Sequence, residues 1–177
     1  LFAFDSDVTC VFKLTPMNAD NKASVLAKIR ALTTGSNTNL SAGLFDGLAE
    51  LQASPPTSVT SVLLLSDGQV NEGITDRAKL VRTLKSTLEA SRVRPPVFTF
   101  GYGSDADANL MREIAEAGAG TYYPVMSTES VPLAFSDVVG GLLAVVAQNV
   151  DVTVTVSGAV IVDTFGSRFP TDVVSPV

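Results

Sequence analysis

Ser61–Gly73, SVLLLSDGQVNEG, constrains the fold of this chain more than any other stretch. Val62, Leu63, Leu64 and Leu65 form an unbroken apolar run, the pattern of a strand covered on both faces, as in a parallel sheet. The run stops at Ser66-Asp67-Gly68, and an amphipathic helix is expected to begin near Asp76. In an open α/β sheet, ligands sit beyond the carboxyl ends of the strands, so a carboxylate on that turn is aimed at a site. Asp before Gly also shapes turns that bind nothing. The stretch alone does not choose between the two.

Strand and helix patterns alternate around this run. Leu1–Phe4 and Val8–Leu14 read as strands joined by the polar turn Asp5-Ser6-Asp7, a hairpin whose second strand is an antiparallel edge with Lys13 outward. Asn21–Leu32 reads as a helix with Val25, Leu26, Ile29 and Leu32 on its apolar stripe. A polar turn, Thr33–Asn39, precedes a third amphipathic segment with Leu40, Leu44, Leu48 and Leu51 on one side.

Beyond the central run, helices are expected over Asp76–Arg92, Ala106–Ala117 and Val131–Gln148, and strands over Val97–Tyr102 and Thr121–Val125. The last helix should turn Phe135, Val138, Val139, Leu142, Val145 and Val146 inward. The fold class is α/β, a doubly wound, mostly parallel sheet with one antiparallel edge strand. Residues 149–177 break the rhythm: valines alternate over Asn149–Val156 and a second short strand, Ala159–Val162, follows. That is a hairpin pattern, so 1–148 reads as one domain and 149–177 as the start of a β-rich second domain or tail.

The charge balance narrows the function classes. A net charge of −6 without a Lys/Arg cluster argues against nucleic acid. There is no histidine, which removes the usual general base and the commonest transition-metal ligand. The single cysteine, Cys10, rules out an internal disulfide framework and is expected as a buried thiol. The longest apolar run, Val138–Ala147, is too short to span a bilayer. The chain starts at Leu1, inside an apolar run and without Met, and reads as a piece of something longer.

Tracing strand directions brings two turns to one face. If Leu1–Phe4 runs upward, the hairpin returns the chain down the edge and helix Asn21–Leu32 climbs again, so Gly35–Asn39 lies at the top. Leu40–Leu51 then descends and the next strand rises to Asp67. Thr38 and Asp67 should therefore share a face, with Asp5 and Asp7 at its margin. A hydroxyl and a carboxylate converging without His or Cys suit a hard cation with oxygen ligands, Mg²⁺ before Ca²⁺.

At these residues the chain resembles the von Willebrand factor type A domains. The resemblance rests on Gly35-Ser36-Asn37-Thr38-Asn39-Leu40-Ser41-Ala42-Gly43-Leu44, on Leu64-Leu65-Ser66-Asp67-Gly68-Gln69-Val70-Asn71-Glu72-Gly73, on Phe98–Gly103 and on Gly120-Thr121-Tyr122. It covers roughly Leu1 to Gln148 in unbroken order. Phe135–Val156 is similar to two subgroups, the inter-alpha-trypsin-inhibitor-like proteins and the type A domains of some RING-type ubiquitin ligases.

The resemblance implies a non-enzymatic, protein-binding module with a metal ion-dependent adhesion site. Thr38 would ligate the metal through its hydroxyl and Asp67 directly or through water, and a carboxylate of the protein partner would complete the shell. Ser36, Asn37, Asn39, Ser66, Gln69 and Asn71 would form the partner-binding rim. The metal would be Mg²⁺, with Ca²⁺ or Mn²⁺ next, weakly bound or absent in this chain. Neither nucleic acid nor a membrane span is implied. The departure is the family's Asp-x-Ser-x-Ser motif, which is absent with its strand and helix. In the family's sheet that strand lies between the ones at Leu1 and Val62, so both neighbours are expected to have an open edge. A metal-free scaffold is the corresponding alternative.

Two other motifs compete. Asp5-Ser6-Asp7-Val8-Thr9 matches the Asp-x-Asp-x-Thr start of haloacid-dehalogenase-like phosphotransferases, with Asp5 as nucleophile and Asp7 as general acid/base. No late acidic pair follows a strand to hold its Mg²⁺. Gly101–Ala106 fits G-x-G-x-x-G/A, but it does not open the first βα unit and no acidic residue ends a strand about 20 residues later. Asn39-Leu40-Ser41 is a formal glycosylation sequon beside the proposed ligand, and is read as chance.

Overall fold

The chain opens with a short antiparallel pair, β1 (Phe2–Phe4) and β2 (Val8–Cys10), in the register Phe2↔Cys10 and Phe4↔Val8. The structure, a computed structural model, describes residues 1–35, 37–54, 59–66, 69–103 and 106–146. Helices α1 (Ala19–Arg30) and α2 (Leu40–Ala53) follow. Next come β3 (Val62–Ser66), α3 (Arg77–Ala90), β4 (Val97–Tyr102), α4 (Ala108–Ala117), β5 (Tyr122–Val125) and α5 (Val131–Leu143). Strands β3, β4 and β5 form a parallel sheet in that order, and β1–β2 is a separate sheet.

The helices start where their sequences satisfy the first free amides. Asn18, Asn39, Asp76 and Asp107 each accept a backbone N–H three residues on with a side-chain oxygen. Both faces of the three-stranded sheet are packed, but unequally. On one face Leu40, Leu44 and Leu48 of α2, Leu80, Leu84 and Leu88 of α3, and Leu110, Met111 and Ile114 of α4 close over Leu64 and Val97. Thr99, fully buried, donates its hydroxyl to the Met111 carbonyl at 2.8 Å, so the polar atom on this face is satisfied. Arg77 and Glu113 join α3 to α4 at the surface.

On the other face α5 supplies Phe135 and Val138 against Phe100, Tyr123 and Val125. Phe100 stacks between Phe135 (centroids 4.7 Å apart) and Tyr123 (5.4 Å). The Tyr123 hydroxyl donates to Asp137 at 2.7 Å. Partial burial, then the hydrogen bond to this carboxylate, push the phenol up to about 12. A folded-state value above the unfolded one means that the folded form holds this proton more tightly. The resulting stability is complete below about pH 10 and is lost as pH rises towards 12. Tyrosinate absorbance should therefore show a tyrosine ionising near 12 that is absent in Tyr123→Phe, while Tyr102, raised by burial, remains in both. A Tyr123→Phe titration matching the unmutated chain would show that another group accounts for it.

Three expectations need correcting. α1 carries the anticipated stripe but buries none of its residues: Leu26 is 49% exposed, Ile29 41% and, just beyond it, Leu32 43%. Periodicity marks the face a helix would bury and does not supply a neighbour. β2 ends at Cys10 rather than Leu14, and Cys10 is exposed, on a strand that pairs only with β1 among the described residues. α5 ends at Leu143; Val139 faces solvent because it lies off the stripe centred on Val138, and Val146 is exposed beyond the helix end. The hairpin expected over Asn149–Val162 lies outside the described residues.

Candidate functional site

Three loops meet above the sheet: the β1–β2 turn, the segment before α2, and the segment after β3. The first two are joined through Asp5, whose carbonyl accepts the Asn39 N–H at 2.7 Å. Its carboxylate accepts the Asp7 N–H at 3.0 Å and lies against Gly35, where a Cβ would overlap it. Asp5 thus belongs to the Thr38 loop itself and not merely to its margin. The hairpin turn also occupies the position a phosphotransferase would need for a nucleophile ending a parallel strand; here Asp5 follows an antiparallel one.

The segments before α2 and after β3 are joined through Thr38. Its N–H donates to Asn71 Oδ1 at 2.7 Å, and its carbonyl accepts the N–H groups of Asn71 and Glu72 at 3.3 and 3.4 Å. Thr38 is half-buried and its hydroxyl has no hydrogen-bond partner among the described residues. The backbone is held on both sides while the oxygen that could bind a ligand is left over.

The neighbouring amides act mainly as clips. Asn37 donates from Nδ2 to Ser6 Oγ (2.9 Å) and Glu72 Oε1 (2.8 Å), linking all three loops. Asn39 caps α2 by accepting from the Ala42 N–H at 3.2 Å, and its Oδ1 also accepts from Ser41 Oγ. Ser41 in turn accepts the Ile74 N–H at 2.9 Å. Gly73 passes beneath this pair with φ +73°, where a Cβ would run into Asn39 Oδ1 and Ser41 Oγ. A sequon at Asn39 is thus part of a helix start, consistent with the reading of Asn39-Leu40-Ser41 as chance.

Ser66 ends β3 and Gln69 follows in the same loop; both make interactions of their own. Ser36 and Asp67 lie outside the described residues. Glu72, a carboxylate beside Asn37, was not singled out by sequence reasoning; its place two residues past Gln-Val in the same loop was the available signal. Among the described residues no three His, Cys, Asp or Glu side chains cluster closely enough to hold a metal ion. The Thr38 hydroxyl and the Asp5 carboxylate are hard oxygen donors of the kind Mg²⁺ and Ca²⁺ accept.

Comparison with known proteins places these residues in context. The sequence profile of the von Willebrand factor type A domain matches residues 1–137. Inter-alpha-trypsin inhibitor heavy chain H1 from Mesocricetus auratus is 33% identical over 113 residues, 60% of this chain and 12% of the relative. Its counterpart from Sus scrofa is 30% identical over 104 residues, 55% of this chain and 11% of the relative. The chain therefore spans about a tenth of the length of these relatives. A crystal structure of the conserved hypothetical protein BatB from Bacteroides thetaiotaomicron superposes with a TM-score of 0.57, at 15% identity, covering 80% of this chain and 77% of that one. At that identity the likeness concerns the fold alone.

Proposed function

This chain belongs to the von Willebrand factor type A domain family, and we propose that it serves as a non-enzymatic module binding a protein partner through a divalent cation. The observation that carries the proposal is the Thr38 hydroxyl, without a hydrogen-bond partner among the described residues, on a backbone fixed by Asn71 and Glu72. A ligand atom held this firmly loses little freedom on binding, the condition for a preorganised site. Thr38 and Asp67 would hold Mg²⁺, or Ca²⁺ or Mn²⁺ in its place. Asp5 lies near enough to the Thr38 loop to add negative charge. When bound, the cation would offer an open position to an acidic side chain of the partner.

The other residues keep this arrangement in place. Asn37 and Asn39 hold the hairpin turn to the Thr38 loop, and Asn71 sets the distance between that loop and the one carrying Asp67. Ser36, Ser66 and Gln69 would complete the rim around the partner's carboxylate. Thr38 is neutral, and Mg²⁺ requires about six oxygens in near-octahedral order and sheds water reluctantly. Binding by this chain is accordingly weak.

Mg²⁺ titration followed by backbone amide resonances tests the proposal. Saturable shifts are expected at Thr38, Asn39, Asn71 and Gly73, and Asp67→Ala should abolish them while leaving the rest of the spectrum in place. In sequence Asp67 directly follows the last residue of β3, and the change removes a charge and no apolar side chain, so the fold should tolerate it. Shifts of equal size in Asp67→Ala, or none in the unmutated chain at millimolar Mg²⁺, would sink the metal-dependent reading.

A further inference from the structure

We infer that the outer edge of β5 is a docking site for a short extended peptide segment with one carboxylate side chain, held by the Tyr122 backbone and by Arg112. The site is a cleft of about 360 Å³ between β5 and α4, with Arg112, Glu116, Thr121, Tyr122 and Pro124 in its walls. Its size falls within the roughly 300–1,000 Å³ usual for ligand clefts. β5 pairs with β4 on one side, and among the described residues no strand covers the other.

The backbone supplies one half of the site. The Thr121 carbonyl accepts the Thr99 N–H and the Val125 carbonyl accepts the Gly103 N–H, so residues of that parity face β4. Tyr122 and Pro124 have the opposite parity and turn their backbone groups outward. Proline has no N–H, so this edge presents a single donor, from Tyr122, and the carbonyls of Tyr122 and Pro124 as acceptors. Those groups can pair with a short added strand, a recurrent mode of peptide recognition. A longer ladder is interrupted at Pro124, which fits a brief segment and not a second sheet.

The side chains supply the other half and choose the occupant. A Cβ built at Gly101 of β4 would lie 2.8 Å from the Tyr122 hydroxyl oxygen and 2.9 Å from its ring. The ring therefore lies across Gly101, turned inward from the sheet edge, which leaves the cleft open beside it. The Arg112 guanidinium sits over the same ring, 5.6 Å from its centroid, and makes no ion pair or hydrogen bond among the described residues. Stacking holds the guanidinium in place while its N–H donors stay available to a carboxylate. Glu116, one turn further along α4, lines the same cleft. A second acid on the segment would meet that charge, so a single carboxylate fits and an acidic run does not. The cleft shares no residue with the Thr38 loop, and this inference does not rest on the metal reading.

The test uses the full chain and the acetylated, amidated peptide Thr-Val-Glu-Val-Thr, whose palindromic order suits either strand direction. Every titration is run in EDTA, which silences the proposed cation site. Saturable amide shifts at Thr121 and Tyr122 are expected, with slowed exchange of the Tyr122 N–H. The peptide with Gln in place of Glu should bind at least about fivefold more weakly, since it loses the charge-assisted pair. Arg112→Gln should remove that preference, and N-methylation of the peptide's central amides should abolish binding. Equal binding of the Gln or methylated peptide, or a preference for Glu that survives Arg112→Gln, would overturn the proposal. So would absence of saturable binding at millimolar peptide, or a Tyr122 N–H already protected without peptide, which would mean that the edge is paired by the chain itself.

Discussion

Phe100→Ala is expected to destabilise the domain by about 3–5 kcal/mol, the usual cost of removing a fully buried aromatic ring. Phe100 has no exposed surface and stacks on Phe135 of α5 and on Tyr123 of β5. Its loss would leave a cavity between the sheet and α5. Collapse could recover little, since Val125 and Val138 are already packed against the same ring. A cost of that size is a large share of the roughly 5–15 kcal/mol by which a typical domain is stable. Urea unfolding followed by circular dichroism should show a lower midpoint with an unchanged slope. A loss under about 1 kcal/mol would mean that α5 does not depend on this stack.

Gly73→Ala is expected to cost about 2–4 kcal/mol, combining the strain of a left-handed non-glycine residue with damage to a helix cap. Gly73 has φ +73°, and its missing Cβ leaves room for Asn39 Oδ1 and Ser41 Oγ. An alanine there would displace the acceptor that starts α2 and the hydroxyl that holds the Ile74 N–H. The two contributions can be separated by repeating the substitution in an Asn39→Ala background. Backbone strain would persist there, while the collision with Asn39 would vanish, so a smaller cost is expected. An identical cost in both backgrounds would assign the effect to φ and the Ser41 Oγ contact, with no share from Asn39.

Much of this fold was legible because it rests on local periodicity. The run Val62–Leu65 marked a parallel strand, although only Leu64 of the four is buried and Leu65 faces solvent, and the spacing of Leu40, Leu44 and Leu48 marked the helix face that joins the larger core cluster. The Leu64–Gly73 and Gly35–Leu44 motifs pointed to the type A family, which the profile match over residues 1–137 establishes. What was not legible depends on partners distant in sequence. The stripe of α1 is as regular as that of α2, yet one is exposed and the other buried. What separates them is composition and not periodicity: α1 carries Asp20, Lys22, Lys28 and Arg30, whereas α2 carries only Asp46 and Glu50.

The site shows the same division. That the turn at Thr38 and the loop after β3 share a face followed from strand direction alone. The use of Asn37, Asn39 and Asn71 as clips could not, because each bond joins groups more than 30 residues apart or depends on a cap geometry. Amide side chains on a polar turn look identical whether they await a partner or are already engaged. Asp5 was likewise placed only approximately by topology, since its approach to Gly35 depends on the absence of one Cβ.

The exposed stripe on α1 also sets the order in which the molecule comes apart. A twelve-residue helix that buries none of its side chains is near the length at which isolated helices are marginal in water. Its opening free energy is therefore far below that of the leucine-packed helices, and it fluctuates open without disturbing them. Lys22, Lys28 and Arg30 then become accessible backbone positions for a trypsin-like protease long before global unfolding. Cleavage within α1 is thus governed by the opening of this peripheral helix, while resistance to heat is governed by the sheet and its leucine-packed helices.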